Sequence, residues 1–175
     1  MIASTLKDLL SDVLVTPELC TWPIFVSVVP DIELLVGGYG EVTSVATGES
    51  LRWNEQAARQ FGSHPCWFSR SPSGTDRLTI GRSQHNDYAI QHSSVSATHA
   101  ELVILPTGAC QLIDVGSRNG TFVEGRRLTP RDPAEIASSD LVRFGEVTLY
   151  MIDPVTVKTL SRVAHPDGGA GRLGG

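Results

Sequence analysis

The chain has 175 residues, enough for one ordinary domain with an extension or for two small domains. Its hydrophobic fraction is 41% and its charged fraction 19%, which argues against wholesale disorder because a core can be buried. The formal net charge of −5 argues against a general binder of nucleic acid or of anionic membranes.

The N-terminus and the cysteines bear on location. Lys7, Asp8 and Asp12 interrupt the apolar pattern of residues 1–15, which argues against a secretory signal. No stretch reaches the roughly 18 apolar residues of a membrane span. The cysteines are odd in number and suit neither a disulfide framework nor a metal-ligand spacing: Cys20, Cys66 and Cys110. We therefore expect a cytoplasmic protein with no metal site.

Residues 1–63 mix helical and short-strand patterns. Leucines and a valine at helical spacing predict a helix from about Leu6 to Leu14. Short apolar runs predict strands at 24–29 and 32–36, and a second helix is predicted at 51–61. An enzyme in this segment has little support, because it shows no nucleophile–base spacing and no phosphate-cradling loop. We treat residues 1–63 as an N-terminal extension of unknown role.

From about residue 64 the pattern is typical of an antiparallel β sandwich or barrel. Gly, Pro, Asn and Ser clusters separate short apolar runs at 78–80, 87–90, 101–105, 110–115, 121–123, 141–144 and 147–152. Asn119-Gly120 suits a type I′ hairpin turn, and Glu124-Gly125 marks another turn. A closing helix is predicted at 155–164, and the glycine-rich residues 165–175 should be mobile.

Three strings in loops of this β segment carry groups that suit a phosphate. Gly81-Arg82 supplies a cation, Ser96-Ala97-Thr98-His99-Ala100 supplies hydroxyls, and Ser117-Arg118-Asn119-Gly120-Thr121 supplies a carboxamide and a glycine turn. A fixed cation, hydroxyl donors and exposed backbone N–H groups fit a phosphate dianion better than a neutral ligand. Loops on a rigid sheet scaffold are a common place for recognition.

At these strings the sequence resembles the forkhead-associated (FHA) domain, a β sandwich that binds phosphothreonine peptides. The resemblance extends over about residues 64–153 and includes the later string Asp140-Leu141-Val142-Arg143-Phe144-Gly145. It implies an FHA-type antiparallel β sandwich at 64–153. With the α/β N-terminal extension that the patterns predict at 1–63, we expect a mainly β chain. Residues 154–175 would form a short helix and a flexible Gly-rich tail.

The resemblance also implies roles for single residues. Arg82 would contact the phosphate, Ser96 would hydrogen-bond a phosphate oxygen, and Asn119 would hold the peptide main chain. His99 would fasten the Ser96 loop to its neighbours. Three residues would support the loop geometry: Gly81, Gly120 and Thr121.

Three positions depart from the family pattern. Ala97 stands where many relatives carry a polar residue, and Arg118 stands where a small hydroxyl residue is common. We expect Arg118 to offer a second cation to the phosphate, although a simply solvated arginine is the alternative. Tyr88 replaces an aliphatic residue, which we interpret as core packing.

Other functions fit the motifs less well. Ser96, His99 and Asp114 could suggest a catalytic triad, but the three-residue spacing on one loop and the lack of a nucleophile elbow argue against it. The histidines share no ligand spacing, so a metal site has little support. A stronger alternative is a sandwich that has lost phosphate recognition and serves as a protein-interaction or oligomerisation platform.

We therefore expect a non-enzymatic module, without a cofactor, that recruits phosphothreonine-containing proteins in Ser/Thr kinase signalling. The partner could be such a kinase or its substrate, and neither nucleic acid nor a membrane is expected. Residues 77–131 hold six arginines against four carboxylates, so the acidic chain contains a locally cationic stretch. A bias of twelve Arg over two Lys suggests a bacterial source.

Overall fold

The computed structural model describes residues 4–15, 21–28, 55–69 and 76–164. Three helices lie in these ranges: α1 (Leu6–Val15), α2 (Glu55–Gln60) and α3 (Pro154–Ala164). The strands are β1 (Ser4–Thr5), β2 (Ile24–Ser27), β3 (Pro65–Trp67), β4 (Arg77–Gly81), β5 (Tyr88–Ala89), β6 (Ala100–Ile104), β7 (Cys110–Asp114), β8 (Thr121–Val123), β9 (Arg126–Arg127), β10 (Ala134–Ile136), β11 (Leu141–Phe144) and β12 (Val147–Ile152). None of the helices in these ranges has the length and apolarity to span a membrane.

The strands form two sheets, as the sandwich prediction requires. A seven-stranded sheet has the order β1-β3-β2-β12-β11-β8-β9, and a five-stranded sheet has the order β10-β7-β6-β4-β5. Neighbouring strands are antiparallel, except that β4 and β5 run parallel. The sandwich is therefore confirmed as mainly antiparallel, with one short parallel pair that periodicity alone does not reveal.

The first core fills the space between the two sheets. Period-two alternation directs one set of side chains from each strand into it, such as Leu78 and Ile80 of β4 and Val142 and Phe144 of β11. Phe25 packs edge-to-face against Tyr88 and Phe144, with ring centroids 5.1 and 5.8 Å apart. This core holds the strands whose ends carry the motif loops.

A second core lies on the other face of the seven-stranded sheet, where the three helices cover it. Leu6, Leu9 and Leu10 of α1 pack there together with Leu160 of α3 and Tyr150 of β12. Strand β2 is consequently buried on both faces, which explains why its sequence is a continuous apolar run rather than an alternating one.

The sandwich takes part of its core from the N-terminal segment. Strand β2 is hydrogen-bonded between β3 and β12, so residues before 64 supply an interior strand. The hydroxyl of Tyr88 donates to the carbonyl oxygen of Pro23 at 2.6 Å, and the indole of Trp67 donates to that of Ala89 at 3.1 Å. The Tyr88 position is thus more than packing, and the sheet crosses the predicted boundary between residues 63 and 64.

One turn prediction is wrong. A type I′ turn needs positive φ at both central residues, but at Asn119-Gly120 only the glycine has it, with φ +86°. Strands β7 and β8 belong to different sheets, so this loop crosses between sheets rather than closing a hairpin. Glu124 and Gly125, with φ 49° and 74°, instead close the β8–β9 hairpin in the left-handed conformation.

Most predicted elements are present where the structure describes them. Helices at 6–15 and 154–164 and the strand at 24–27 are confirmed, as are the seven apolar runs of the β segment. The second helix is described only from Glu55 to Gln60. The predicted strand at 32–36 and the tail at 165–175 lie outside the described residues.

Candidate functional site

The three motif loops lie at one end of the sandwich because of strand direction. Antiparallel pairing aligns Ile80 near the end of β4 with Ala100 at the start of β6, and Ala100 with Asp114 at the end of β7. The loop after β4, the loop before β6 and the loop after β7 therefore leave the five-stranded sheet at the same end. The sheet thus gathers strings that are up to forty residues apart in sequence.

Arg82 follows β4 and is held by the neighbouring loop. Its backbone N–H donates to the Ser96 carbonyl at 2.9 Å, and its Nε donates to the Val95 carbonyl at 3.2 Å. Within the described part of the chain, its two Nη atoms have no hydrogen-bond or ion-pair partner, and the side chain is exposed. The guanidinium therefore keeps the donors that could engage an anion in a fork.

Gly81 lies where the two loops come into contact. A Cβ at this position would lie 2.4 Å from the carbonyl oxygen of Ala97 and 2.9 Å from the Cα of Thr98. Any side chain here would force the Arg82 loop away from the Ser96 loop. This close approach is the physical reason for glycine beside Arg82.

His99 is buried and joins the Ser96 loop to the Asn119 loop. Its Nδ1 accepts the backbone N–H of Ser96 at 3.0 Å, so the Nε2 proton points to the carbonyl oxygen of Gly120 at 3.2 Å. Burial lowers the pKa of His99, against smaller raising effects from the Gly120 hydrogen bond and the charge of Asp114. The neutral imidazole is the form that can make both contacts.

Ser96 keeps one hydrogen-bonding capacity open. Its Oγ accepts the backbone N–H of Arg118 at 3.0 Å, which brings the second and third loops together directly. A serine hydroxyl can also donate once, and within the described residues that proton has no acceptor. The Arg118 guanidinium is exposed and likewise has no partner among the described residues. Both groups therefore remain available to a ligand oxygen.

Asn119 is held by its amide nitrogen. Its Nδ2 donates to the Ser94 carbonyl at 2.7 Å, while its Oδ1 has no donor among the described residues. Ser94, which sequence reasoning missed, also accepts the Glu146 N–H on its Oγ and donates to His92 Nδ1 at 2.7 Å. Ser94 therefore orients Asn119 so that an acceptor remains for a peptide N–H.

Asp114 organises the loop that carries Arg118 and Asn119. Its Oδ1 accepts the backbone N–H groups of Gly116 and Ser117, each at 2.8 Å. Its Oδ2 accepts the hydroxyls of Ser117 and Thr121, each at 2.6 Å. Burial acts to raise the pKa of Asp114, but these hydrogen bonds outweigh it and lower the pKa below its usual value.

The role of Asp114 was missed from sequence, although a signal was present. An Asp at the end of a strand, followed by Gly and Ser two and three residues later, is a pattern for side-chain-capped turns. Thr121, predicted to support this loop, is fully buried and contacts it through Asp114.

The contacts do not form a catalytic triad. His99 accepts the backbone N–H of Ser96 rather than its hydroxyl, and its other nitrogen faces a carbonyl instead of Asp114. Asp114 is occupied by its own loop. Among the described residues, no group of three or more His, Cys, Asp or Glu side chains could hold a metal ion. The arrangement is that of cross-linked loops presenting anion donors.

Comparison with known proteins finds a domain family that this part of the chain resembles. Residues 78–145 match the family model of the FHA domain. Over 86 residues the chain is 35% identical to the protein phosphatase 1 regulatory inhibitor subunit PPP1R8 homolog of Arabidopsis thaliana, covering 44% of this chain and 23% of the relative. Over 90 residues it is 38% identical to the glycogen accumulation regulator GarA of Mycolicibacterium smegmatis, and the match covers 47% of this chain and 54% of that relative.

A solved structure extends the likeness in fold. An engineered FHA domain with a Myc-pTBD peptide superposes with a TM-score of 0.50 at 16% identity, covering 79% of this chain and 95% of that one. The matched region spans 23% of the first of these curated relatives and 54% of the second. The likeness therefore concerns the domain and not the whole proteins.

Proposed function

We propose that this protein binds threonine-phosphorylated proteins and recruits them in Ser/Thr kinase signalling, because its residues 78–145 match the family model of the FHA domain. The partner would be a phosphothreonine-containing kinase or kinase substrate. Binding would make no covalent change and use no cofactor. Both curated relatives reported above are named as regulators, which supports recruitment rather than catalysis.

One observation carries this proposal: the three motif loops are hydrogen-bonded to one another while their ligand-directed groups stay available. Arg82 and Arg118 each donate a backbone N–H to Ser96. The Arg82 guanidinium is held only through its Nε, and both side chains are exposed. An anion at this end of the sandwich would meet preordered donors. Preordering reduces the conformational entropy that binding must overcome.

Each predicted contact has a distinct chemistry. Arg82, helped by Arg118, would pair with phosphate oxygens of a group that carries about −1.5 to −2 charge at pH 7. The Ser96 hydroxyl would donate to a third oxygen. The Oδ1 of Asn119 would accept a peptide N–H, which fixes the main chain beside the phosphate. Four further residues would not contact the ligand but would hold the motif loops in position: Gly81, His99, Gly120 and Thr121.

We also propose that the protein acts in the cytoplasm. Cys66 and Cys110 are buried in different cores, so their thiols are structural rather than partners in a disulfide framework. Burial also raises the pKa of the Cys110 thiol, with a smaller contribution from the charge of Asp153, which keeps it in the protonated form.

An oriented phosphothreonine peptide library first selects a peptide that binds. Calorimetric titration with that peptide then tests the function. Arg82→Ala and Ser96→Ala should each weaken binding by more than about tenfold, because charge-assisted hydrogen bonds contribute about 1.5–3 kcal/mol each. Arg126→Ala is the matched control, since it removes an exposed arginine outside the motif loops. The thermal unfolding of each variant should match that of the wild type within a few degrees.

The peptide controls distinguish the proposal from its alternative. Unphosphorylated peptides should not bind, and phosphoserine peptides provide the comparison for threonine selectivity. Equal binding of phosphorylated and unphosphorylated peptides would favour a scaffold that has lost phosphate recognition. Unchanged dissociation constants for both Arg82→Ala and Ser96→Ala would refute the site assignment.

A further inference from the structure

Two arginines flank an aromatic side chain on the outer face of the seven-stranded sheet. In the register of β8, Phe122 lies opposite Arg127 of β9 on one side and Arg143 of β11 on the other. Their strand neighbours Val123 and Phe144 point into the first core, so alternation places these three side chains on the opposite face. We call Phe122, Arg127 and Arg143 the arginine stack.

The stack has defined geometry. The Cζ of Arg143 lies 3.5 Å from the ring centroid of Phe122, and the Cζ of Arg127 lies 5.9 Å from it. Both distances are within the range in which a cation is attracted to an aromatic ring. An Nη of Arg143 also donates to the Gly145 carbonyl. The ring therefore restrains two guanidinium groups that would otherwise sample many rotamers.

The charges of the stack are not neutralised within the described residues. No carboxylate of the described ranges forms an ion pair with Arg127 or Arg143, unlike Arg77, which pairs with Glu101. Burial lowers the pKa of Arg143, and the nearby charge of Arg127 lowers it further. Two close cations without a counter-charge attract an anion to the space in front of them.

The stack adjoins the candidate phosphopeptide site. The Nε of Arg127 lies 2.7 Å from the point where a Cβ on Gly120 would be, so its guanidinium lies against the residue that follows Asn119. From Asn119 to Phe122 is three residues, at most about 10 Å of extended chain. An extended ligand spans the same distance with about three residues of its own.

We propose that the arginine stack binds acidic side chains of the same phosphorylated partner, within about three residues of its phosphothreonine. The proposal rests on the proposed function and names the ligand class: an acidic phosphothreonine peptide. Two guanidinium groups suit one or two carboxylates. A nucleic acid would need a longer row of cations, because its affinity comes from neutralising many phosphates.

Binding of three peptide series by fluorescence anisotropy tests this. All contain one phosphothreonine; the flanking positions hold alanine, one glutamate scanned from −4 to +4, or one lysine scanned likewise. The wild type should bind at least one glutamate peptide about threefold to tenfold more tightly than the alanine peptide. Arg127→Ala should remove that preference and leave affinity for the alanine peptide within about twofold.

Two further variants separate the stack from general electrostatics. Arg126→Ala removes the adjacent exposed arginine, whose register partner Val123 faces the core, and should keep the preference. Arg127→Glu should prefer the lysine peptide at the same position. Arg143→Gln should reduce the glutamate preference as Arg127→Ala does, which provides a second readout if one variant disturbs its loop.

The results that overturn the proposal differ from those that overturn the function. Equal wild-type affinity for alanine and glutamate peptides would refute the stack as an acid subsite while leaving phosphothreonine binding intact. Equal losses in Arg126→Ala and Arg127→Ala would do the same. No binding of any phosphopeptide would refute both. Tighter Arg127-dependent binding to DNA or to phosphatidylserine vesicles than to the glutamate peptide would assign the stack to another ligand.

Discussion

Asp114→Asn tests whether one buried carboxylate holds the loop that carries the candidate site. The Oδ1 of asparagine can still accept the two backbone N–H groups of Gly116 and Ser117. The amide nitrogen that replaces Oδ2 donates and cannot accept, so the hydroxyls of Ser117 and Thr121 lose their acceptor. Two charge-assisted hydrogen bonds are therefore lost in a buried setting.

The expected cost is about 2–4 kcal/mol in the free energy of unfolding. Each lost bond to a charged acceptor contributes about 1.5–3 kcal/mol, and reorientation of the hydroxyls recovers part of the sum. That is a large fraction of the roughly 5–15 kcal/mol of a typical domain. Affinity for a phosphothreonine peptide should fall as well, because Ser117 Oγ also accepts the N–H of Gly120 beside Asn119.

Urea unfolding followed by tryptophan fluorescence measures this cost, with Asp132→Asn as the matched control. Asp132 is an exposed aspartate between β9 and β10 and loses the same charge. The carboxylate of Asp114 has a lowered pKa in the folded state, so its contribution is complete above the usual value near 4 and is lost as pH falls below it. The wild type should therefore lose its advantage over Asp114→Asn on acidification. A loss at pH 7 no greater than that of Asp132→Asn would refute the assigned role.

Three further predictions concern His99, Tyr88 and strand β2. Burial lowers the pKa of His99 from its usual value near 6.5, so its contribution to stability is complete above that pH and is lost progressively as pH falls from 6.5 through the lowered pKa. Urea unfolding between pH 7.5 and 5.5 should show this slope in the wild type and a weaker one in His99→Gln. Tyr88→Phe should cost about 1–3 kcal/mol, because it leaves the buried Pro23 carbonyl without its donor; a melting temperature equal to the wild type would contradict this. A fragment of residues 64–175 should fail to fold, because it lacks strand β2 and exposes the interior edge of β12; well-dispersed amide signals from this fragment in an NMR spectrum would show instead that the N-terminal segment is dispensable.

The motif residues could be read from sequence because their local chemistry is distinctive. Glycine before Arg82, the serine and histidine at positions 96 and 99, and Asn119 before glycine each have a local pattern. The structure gives the first of these a reason in the 2.4 Å approach of Gly81 to Ala97. The phosphate contacts of Arg82, Ser96, Arg118 and Asn119 stay predictions until a ligand is bound.

The partners of these residues could not be read in the same way. Ser94 is one serine among several in its loop, and only the fold places its carbonyl 2.7 Å from the amide of Asn119, 25 residues later. The arginine stack is equally invisible, because Phe122, Arg127 and Arg143 become neighbours only when β8, β9 and β11 pair. Such contacts depend on register, and local pattern does not specify which strands pair.

Hydrophobic periodicity and turn chemistry by themselves determined that this chain builds a mainly β domain with phosphate-suited loops between short strands. Both signals are local, since they depend on side chains two to four residues apart. Tertiary structure alone decided that β2 completes the sheet from outside the predicted domain, that Asn119-Gly120 crosses between sheets, and that three loops share one end of the sandwich. These features require strands distant in sequence to pair, which local patterns do not encode. The distribution of charge shows the same difference between local and tertiary information. The net charge of −5 argued against a polyanion as the ligand. Only strand pairing brought Arg127 and Arg143 to either side of Phe122.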